Sequence, residues 1–271
     1  MKDLLIFLFI LSSPLLLIAQ NGYNTTTGAR GLAMGEASIS YQNIDAAFSN
    51  QAGLAHLTSF AAVVTGERRF ALNELSTLGA AAAYPTIAGT FAFHVQYYGF
   101  QDYNEQKVGI AYGRKLGEKF SAGAQISYLR TQIPFYGNSG LPVAELGIQA
   151  EITKNLLVST HLVSPFGPEI TEGENLPTVL RIGLSWQPSA KVSLTAQADK
   201  DIDFEARFRS GLEYTVSEIF QLRVGVATNP TQLGVGFGLT MKNGLALDVA
   251  SGYNQILGFM PGVGLKYNLI Q

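Results

Sequence analysis

The sequence contains no cysteine, so disulfide bonds and thiol catalysis are excluded. Charged residues make up 14% of the chain, whereas a soluble domain carries about a quarter. The three histidines, His56, His94 and His161, lack the spacing of metal ligands, so no metal site is predicted. No serine lies in a G-x-S-x-G motif, and neither catalytic residues nor a cofactor are predicted. The net charge of −2 gives no reason to expect a nucleic-acid partner.

The only long apolar run lies at the N-terminus, where Lys2 precedes a mostly apolar stretch that ends near Ala19. This pattern predicts a secretory signal peptide over residues 1–19. The alternative, a retained anchor helix, would need about 20 apolar residues and different flanks. We therefore expect an exported protein with an N-terminal periplasmic segment at 20–58 and one domain at 59–271.

The rest of the chain alternates between apolar and polar residues in segments of about ten residues, separated by turn residues. In the segment 231–241, Leu233 and Val235 lie on one face of a predicted strand, and Gly234 and Gly236 lie on the other. The predicted strands are 60–70, 74–84, 87–99, 104–115, 119–131, 142–152, 156–163, 178–187, 191–199, 203–216, 219–228, 231–241, 245–254 and 258–270.

Loop lengths decide between a soluble sandwich and a membrane barrel, since both give this alternation. If the first strand runs outward, all connections on one side are tight turns, and two long loops, 132–141 and 164–177, lie on the other side. Short turns on one side and long loops on the other are typical of transmembrane barrels. The sequence therefore predicts an all-β fold: a closed 14-stranded antiparallel transmembrane β-barrel in the bacterial outer membrane, with both ends in the periplasm.

Ser159 and His161 lie on one face of a predicted strand, because they are two residues apart. Phospholipase-type barrels use a serine and a histidine on the lipid-facing side. The alternative interpretation, two unrelated polar residues in a non-enzymatic barrel, is the one we favour.

The segment from Gly28 to Leu57 has no strand periodicity and few large apolar residues, so it cannot form a core of its own. It contains the sequence GARGLAMGEA, then Asp45-Ala46-Ala47-Phe48, then Asn50-Gln51-Ala52-Gly53-Leu54-Ala55. These motifs resemble the N-terminal signature of the PorV/PorQ branch of the FadL-like outer-membrane proteins. One position departs from that signature, because Gln51 stands where the family has proline.

The resemblance implies a short hatch segment in the barrel lumen and a non-enzymatic function. PorV/PorQ-like proteins handle cargo in the type IX secretion apparatus, so the expected partners are lipid and other outer-membrane or secretion-apparatus proteins. The alternative is a FadL-like transporter, which takes hydrophobic small molecules past the hatch and releases them through the wall. The sequence favours the first function, and it leaves open whether the lumen is plugged or conducts.

Charged residues in the hatch should meet charged residues of the lumen, because an unpaired buried charge is costly. We expect this of Arg30, Glu36 and Asp45, while Asn50 should cap a turn and Gly53 should allow a close approach to the wall. The predicted lumen charges are Arg181, Glu205, Arg207, Arg209, Glu213, Arg223, Asp248 and Lys266.

Overall fold

The computed structural model describes residues 26–134, 137–171, 174–202 and 204–270. The predicted signal peptide lies outside these residues. Within them, no helix is long and apolar enough to cross a membrane. One α-helix, α1 (Gly28–Ala33), and four 3₁₀ helices, Ile44–Phe48, Gln51–His56, Arg69–Ala71 and Asn73–Leu75, are present in this described part.

Nearly all other described residues form strands that alternate with short connections. The strands are β1 (Ala61–Arg68), β2 (Ser76–Thr86), β3 (Gly89–Phe100), β4 (Tyr103–Lys115), β5 (Phe120–Ile133), β6 (Gly137–Thr153), β7 (Leu156–Val163), β8 (Glu169–Thr171), β9 (Glu174–Asn175), β10 (Val179–Ser189), β11 (Val192–Asp201), β12 (Arg207–Thr215), β13 (Phe220–Ala227), β14 (Gln232–Thr240), β15 (Leu245–Asn254) and β16 (Gly258–Asn268).

Fourteen of the strands in the described chain close into one antiparallel barrel, and only β8 and β9 form a separate hairpin. Closure occurs between the first and last strands, where Val63 lies opposite both Ala81 of β2 and Lys266 of β16. A closed barrel leaves no unpaired strand edge around its circumference, which a bilayer requires. The prediction of a closed 14-stranded barrel is confirmed.

The predicted loop 132–141 is wrong, because most of it is strand. Strand β5 continues to Ile133 and β6 begins at Gly137, and these two residues are paired across a short hairpin. The β-forming side chains of this segment allow the pairing of β5 with β6 to continue beyond the ends of the neighbouring strands. The second predicted loop remains, and it contains the β8–β9 hairpin.

The outer surface of the barrel is an apolar band, and the inner face is small or polar. In β14, Val235 is 55% exposed whereas its neighbour Gly234 is buried. Similarly, Val64 of β1 is exposed while Val63 and Thr65 are buried. This alternation, apolar outward and polar inward, is the pattern of a transmembrane barrel and agrees with the predicted outer-membrane location.

Residues 26–57, which we call the hatch, lie inside the lumen. Helix α1 contacts β13 to β16 and β1, and the two following 3₁₀ helices contact β1 to β6. Ile44 and Leu54 have no exposed surface, and they pack against inward-facing alanines near the periplasmic ends of β1 to β4. The hatch therefore spans the lumen from wall to wall.

Candidate functional site

The 3₁₀ helices of the hatch begin at asparagine caps. The side-chain oxygen of Asn43 accepts a hydrogen bond from the backbone N–H of Asp45 at 3.0 Å, and that of Asn50 accepts one from Ala52 at 3.1 Å. The amide nitrogen of Asn50 also donates to the carbonyl oxygens of Ile148 and Thr160 in the wall. Asn50 thus both caps a turn, as expected, and ties that turn to β6 and β7.

The expectation that Gly53 allows a close approach to the wall is wrong, because the close neighbours of Gly53 belong to the hatch itself. A Cβ atom at Gly53 would collide with the backbone carbonyl of Tyr41 and with Ala46, which belong to the hatch rather than to the wall. The hatch folds back on itself here, so its two 3₁₀ helices approach each other more closely than any side chain at this position permits.

Wall glycines, by contrast, provide the space that the hatch needs. A Cβ atom at Gly234 would collide with the backbone of helix α1, one at Gly225 with the backbone of Met34 and Gly35 just after the helix, and one at Gly123 with the backbone of Gln51 and Ala52. Gly234 lies on the inward face of β14, where the missing side chain leaves room for the hatch. The barrel wall is therefore shaped to receive the hatch backbone.

A first chain of alternating charges connects the hatch to β12, β13, β15 and β16. In order along the contacts, its members are Asp45, Lys266, Asp248, Arg223, Glu213 and Arg30. Both ends of this chain are hatch residues, and the four residues between them belong to the wall. Because the charges alternate, each buried group has an opposite charge beside it, as burial requires.

Arg30 makes the best-defined contacts in this chain. Its Nε and Nη2 atoms donate to the two carboxylate oxygens of Glu213 at 3.0 and 2.8 Å, and its guanidinium lies 4.5 Å from the centre of the Tyr41 ring. Glu213 also accepts from Arg223 at 2.5 Å, and these two residues lie opposite each other in the β12–β13 pair. At the other end, Asp45 pairs with Lys266.

A second group of charges lies at the outer end of the hatch, around Glu36. Its carboxylate lies 3.2 Å from Arg207 and 2.9 Å from Arg209, and Arg209 also pairs with Asp199 at 2.8 Å. Arg181 reaches the same aspartate at only 3.8 Å. Each of the three predicted hatch charges thus meets a lumen charge, although Asp199 was not anticipated.

Two of the hatch charges, Glu36 and Arg30, stay ionised at neutral pH. Burial alone would raise the pKa of Glu36, but the nearby Arg207 and Arg209 lower it to about 2. Burial alone would lower the pKa of Arg30, but Glu213, Tyr41 and other acidic groups raise it above its ordinary value. Burial also raises the pKa of the Tyr41 hydroxyl, which therefore remains neutral.

A third buried cluster was missed by the sequence analysis. Glu145 pairs with Lys107 at 2.5 Å and lies 3.2 Å from His161, and it accepts from the side chain of Gln51 at 3.3 Å. Gln51, which departs from the family signature, therefore connects the hatch to the wall. The signal available in the sequence was an inward charge on each of two strands, Lys107 on β4 and Glu145 on β6, which does not reveal that they meet.

Inward-facing glutamines were also missed as partners of the hatch backbone. The Gln197 side-chain oxygen accepts from the N–H groups of Ser38 and Ile39 at 2.9 and 3.2 Å, and Gln149 donates to the carbonyls of Ile39 and Tyr41. These contacts satisfy backbone groups that have no secondary structure of their own.

Ser159 and His161 share a face, but it is the lumen face rather than the lipid face. Both side chains are buried, and the Ser159 hydroxyl bonds the Ser40 hydroxyl of the hatch at 3.0 Å. His94 is likewise buried in the wall, whereas His56 lies at the periplasmic end beside Glu151. Within the described residues no cluster of side chains could hold a metal ion.

Above the hatch, the outer half of the lumen contains a cavity of about 570 Å³. Its floor includes Glu36, and its walls carry both charged and apolar residues from the outer ends of the strands. The charged lining residues are Glu36, Arg69, Arg181, Asp199, Asp201, Glu205, Arg207 and Arg209, and the apolar ones are Phe70, Pro177, Val179, Pro230, Ile256, Leu257 and Met260. Glu205 precedes β12, which begins later than predicted, so it lies exposed at the cavity rim.

The long loop between β7 and β10 covers part of the outer opening of the lumen. Leu176, which follows the β8–β9 hairpin, is buried against Leu129 of β5 and Leu141 and Val143 of β6. The loop therefore covers the part of the mouth next to β5 and β6, and the cavity opens beside it.

No family model and no curated protein matches this chain. Solved structures do share its fold. A FadL homologue of Pseudomonas aeruginosa has a TM-score of 0.70 at 12% identity, covering 91% of this chain and 99% of that one. The toluene transporter TbuX of Ralstonia pickettii gives 0.69 at 12% identity (90% and 98%), and the monoaromatic hydrocarbon channel CymD gives 0.68 at 12% identity (93% and 100%).

These similarities establish the fold alone, and they leave the finer resemblance without support. The similar structures named above are described as a FadL homologue, a transporter and a channel, none as an enzyme or a secretion protein. The predicted PorV/PorQ identity and type IX role therefore gain nothing from them. The chain has the fold of a FadL-like outer-membrane β-barrel.

Proposed function

We propose that this protein is an outer-membrane channel for small molecules with apolar character, closed by its hatch. The observation that carries the proposal is the cavity of about 570 Å³ directly above the hatch in a FadL-type barrel. Ligand pockets for small molecules commonly have volumes of roughly 300–1,000 Å³ and apolar walls. In this cavity Phe70, Leu257 and Met260 supply apolar surface.

Passage through the lumen would require the hatch to shift. Its 3₁₀ helices are buried against β1 to β6, and its helix lies against the opposite wall. A molecule in the outer cavity is thus separated from the periplasm by the full thickness of the hatch. The hatch is held by apolar packing and also by ion pairs and polar contacts, and the polar contacts can exchange with water or ligand.

The absence of cysteine allows a direct test by a disulfide between hatch and wall. A Cβ atom at Gly264 would lie 3.6 Å from the Cβ of Ala29, within the range of about 3.5–4.5 Å found in disulfides. The double variant Ala29→Cys/Gly264→Cys should close the channel when oxidised and reopen it when reduced. Uptake of radiolabelled toluene is measured in cells of a host that lacks FadL-type channels.

The control is the single variant Ala29→Cys, whose uptake should not depend on reductant. Equal uptake by the oxidised and reduced double variant would contradict movement of the hatch. If the unmodified protein gives no more uptake than cells without it, the transport function itself is wrong.

The secretion-partner function ranks below transport. Its basis is the hatch signature, and Gln51 departs from that signature at a position where it contacts Glu145. The external connections outside the 164–177 loop are short in the described chain, so they offer a secreted partner little surface. Co-purification of secretion components with the barrel from solubilised outer membranes would reverse this ranking.

A further inference from the structure

A groove of about 500 Å³ crosses the outer surface of the barrel over β2 to β5, and we call it the lipid-side groove. Small side chains leave this space open, because Ala82 of β2 lies opposite Phe93 and Ala124 of β5 lies opposite Tyr112. Large side chains that point outward form its walls. These wall residues are Tyr84, Phe91, Phe93, Ile110, Tyr112 and Ile126.

The lipid-side groove lies in the periplasmic half of the membrane. The turn at 87–88 joins β2 to β3 on the periplasmic side, and Tyr84 and Phe91 form the third residue pair counted from that turn. The Tyr112 hydroxyl donates a hydrogen bond to the carbonyl oxygen of Ala88 in the turn. Rings with one polar tip favour the boundary between lipid and water. The groove therefore extends from the periplasmic headgroups into the acyl-chain region.

A basic side chain lies at the headgroup end of the groove. Strand β4 directs Ile110, Tyr112 and Arg114 outward, and the residues between them are buried towards the lumen. Arg114 thus follows Tyr112 on the lipid-facing row, about 7 Å nearer the periplasm. Among the described strands, it is the only charged residue at a lipid-facing position in the periplasmic half of the barrel.

The charges around Arg114 favour an anion. Three basic residues and one acidic residue lie at this end of β4 and on the turn that follows, namely Arg114, Lys115, Glu118 and Lys119. Another acid, Glu151 at the end of β6, lies on the lumen side, 3.8 Å from His56. Arg114 has no ion-pair partner within the described chain. Guanidinium groups match the geometry of phosphate oxygens, and an apolar groove beside one suits an acyl chain.

A second copy of this chain fits the lipid-side groove less well than a lipid. The lipid-facing rows of the described strands contain no carboxylate in the periplasmic half of the barrel, so a copy would bring no partner for Arg114 into the membrane. A phospholipid supplies both a phosphate at the boundary and an apolar chain at the depth of Phe93 and Ile110.

We propose that the lipid-side groove binds one phospholipid of the periplasmic leaflet, with its phosphate on Arg114 and an acyl chain between Phe91 and Phe93. A headgroup with net negative charge binds in preference to a zwitterionic one, because basic residues outnumber acidic ones at this end. The site is separate from the outer cavity and from the proposed channel function. The Arg114 side chain points away from the hatch, so its loss should leave the docked hatch unchanged.

Native mass spectrometry of the full-length protein, released from detergent micelles, tests the proposal. The probes are phosphatidylglycerol and phosphatidylethanolamine with identical acyl chains, each titrated separately. The unmodified protein should retain one phosphatidylglycerol, with an affinity about tenfold higher than for phosphatidylethanolamine, since each basic residue near a membrane surface adds attraction for anionic lipid.

Two variants separate recognition of the headgroup from occupation of the groove. Arg114→Met should lower phosphatidylglycerol affinity about tenfold and remove the preference between the two lipids. Ala124→Trp should abolish retention of both lipids, because the indole fills the groove. The matched controls are Lys242→Met, an exposed cation of another periplasmic turn, and Val224→Trp, a lipid-facing site on β13. Both controls should retain lipid as the unmodified protein does, and heat-modifiable migration verifies that each variant is folded.

Equal affinity of the unmodified protein for the two lipids would overturn the proposal, and so would an equal loss of phosphatidylglycerol in Arg114→Met and Lys242→Met. Equal lipid retention by Ala124→Trp and Val224→Trp would show that the groove is not the site. A protein dimer without bound lipid that Ala124→Trp separates into monomers would assign the groove to a second copy and reject the lipid.

Discussion

Replacing Arg30 with methionine should release the hatch from the wall without opening the barrel. Arg30 makes two charge-assisted hydrogen bonds to Glu213, at 3.0 and 2.8 Å, and lies over the Tyr41 ring at 4.5 Å. Methionine retains much of the apolar stem but none of the donors. The barrel ladder contains no Arg30 contact, so its stability should change little.

The expected loss in hatch docking is about 3 kcal/mol. Hydrogen bonds to charged groups contribute about 1.5–3 kcal/mol each, and a cation–π contact about 0.5–2 kcal/mol, but such terms are not additive. Glu213 keeps Arg223 as a partner at 2.5 Å, so it is not left unpaired and the loss stays near the lower end of the sum. A change of about 3 kcal/mol corresponds to roughly a 100-fold shift in the docking equilibrium.

Hydrogen exchange followed by mass spectrometry measures this shift, because amides of the hatch exchange when it undocks. In Arg30→Met, peptides from residues 28–57 should exchange about 100-fold faster, while peptides from β3 to β6 keep their rates. The control is Arg114→Met, an exposed arginine at the periplasmic end of β4. Unchanged hatch exchange, or an equal increase in the barrel strands, would refute the proposed role of Arg30.

Three further outcomes are expected. Gly123→Ala should displace the hatch and speed its exchange, because a Cβ atom there collides with hatch backbone, whereas Gly264→Ala should be tolerated, since its nearest neighbour lies at 3.5 Å. Val235→Arg should impair folding into lipid by about 2–4 kcal/mol, and Val216→Arg, near the periplasmic boundary, by about 0–1 kcal/mol. Because the pKa of Glu36 is lowered to about 2 from 4.5, its contribution to hatch docking should be complete above pH 4.5 and lost as pH falls towards 2.

Each of these outcomes has a result that would contradict it. Equal hatch exchange in the two glycine variants would mean that the wall does not fit closely around the hatch. Equal folding yields of the two arginine variants, read from heat-modifiable migration on gels, would mean that Val235 does not face lipid. Hatch exchange with the same acid dependence in Glu36→Gln as in the unmodified protein would show that another group controls the acid response.

The barrel could be predicted from sequence because its determinants are local. Alternation along each strand fixes which residues face lipid, and an even number of strands brings both ends of the barrel domain to the same side of the membrane. The prediction failed at 132–141, where turn residues extend from Pro134 to Gly140 but strand pairing continues up to Ile133 and Gly137. The prediction also placed the start of β12 too early, at residue 203. The apolar–polar alternation begins there, whereas strand pairing begins only at Arg207.

The sequence could predict that the hatch charges pair with charges of the wall, but not which residues pair. A charge in a segment enclosed by the barrel needs an opposite charge, which is why contacts of Arg30, Glu36 and Asp45 could be expected. Their partners depend on the height and rotation of the hatch in the barrel, which no local pattern encodes. Asp45 and Lys266, for example, are 221 residues apart.

The sequence analysis missed the cluster around Glu145 and assigned the wrong neighbour to Gly53 for the same reason: both depend on contacts between distant parts of the chain. Lys107, Glu145 and His161 lie on three separate strands, so their meeting depends on the barrel register. The collision that excludes a side chain at Gly53 is with Tyr41, and it depends on how the hatch folds back on itself.

The central claim is that residues of the hatch close an otherwise open lumen. Single-channel recording in planar bilayers tests it most directly, with the full-length protein compared with a deletion of residues 28–55 whose closure is verified by heat-modifiable migration. The account predicts that the full-length protein shows little steady conductance and that the deletion variant conducts ions through the emptied lumen. A large steady conductance of the full-length protein that the deletion leaves unchanged would contradict it.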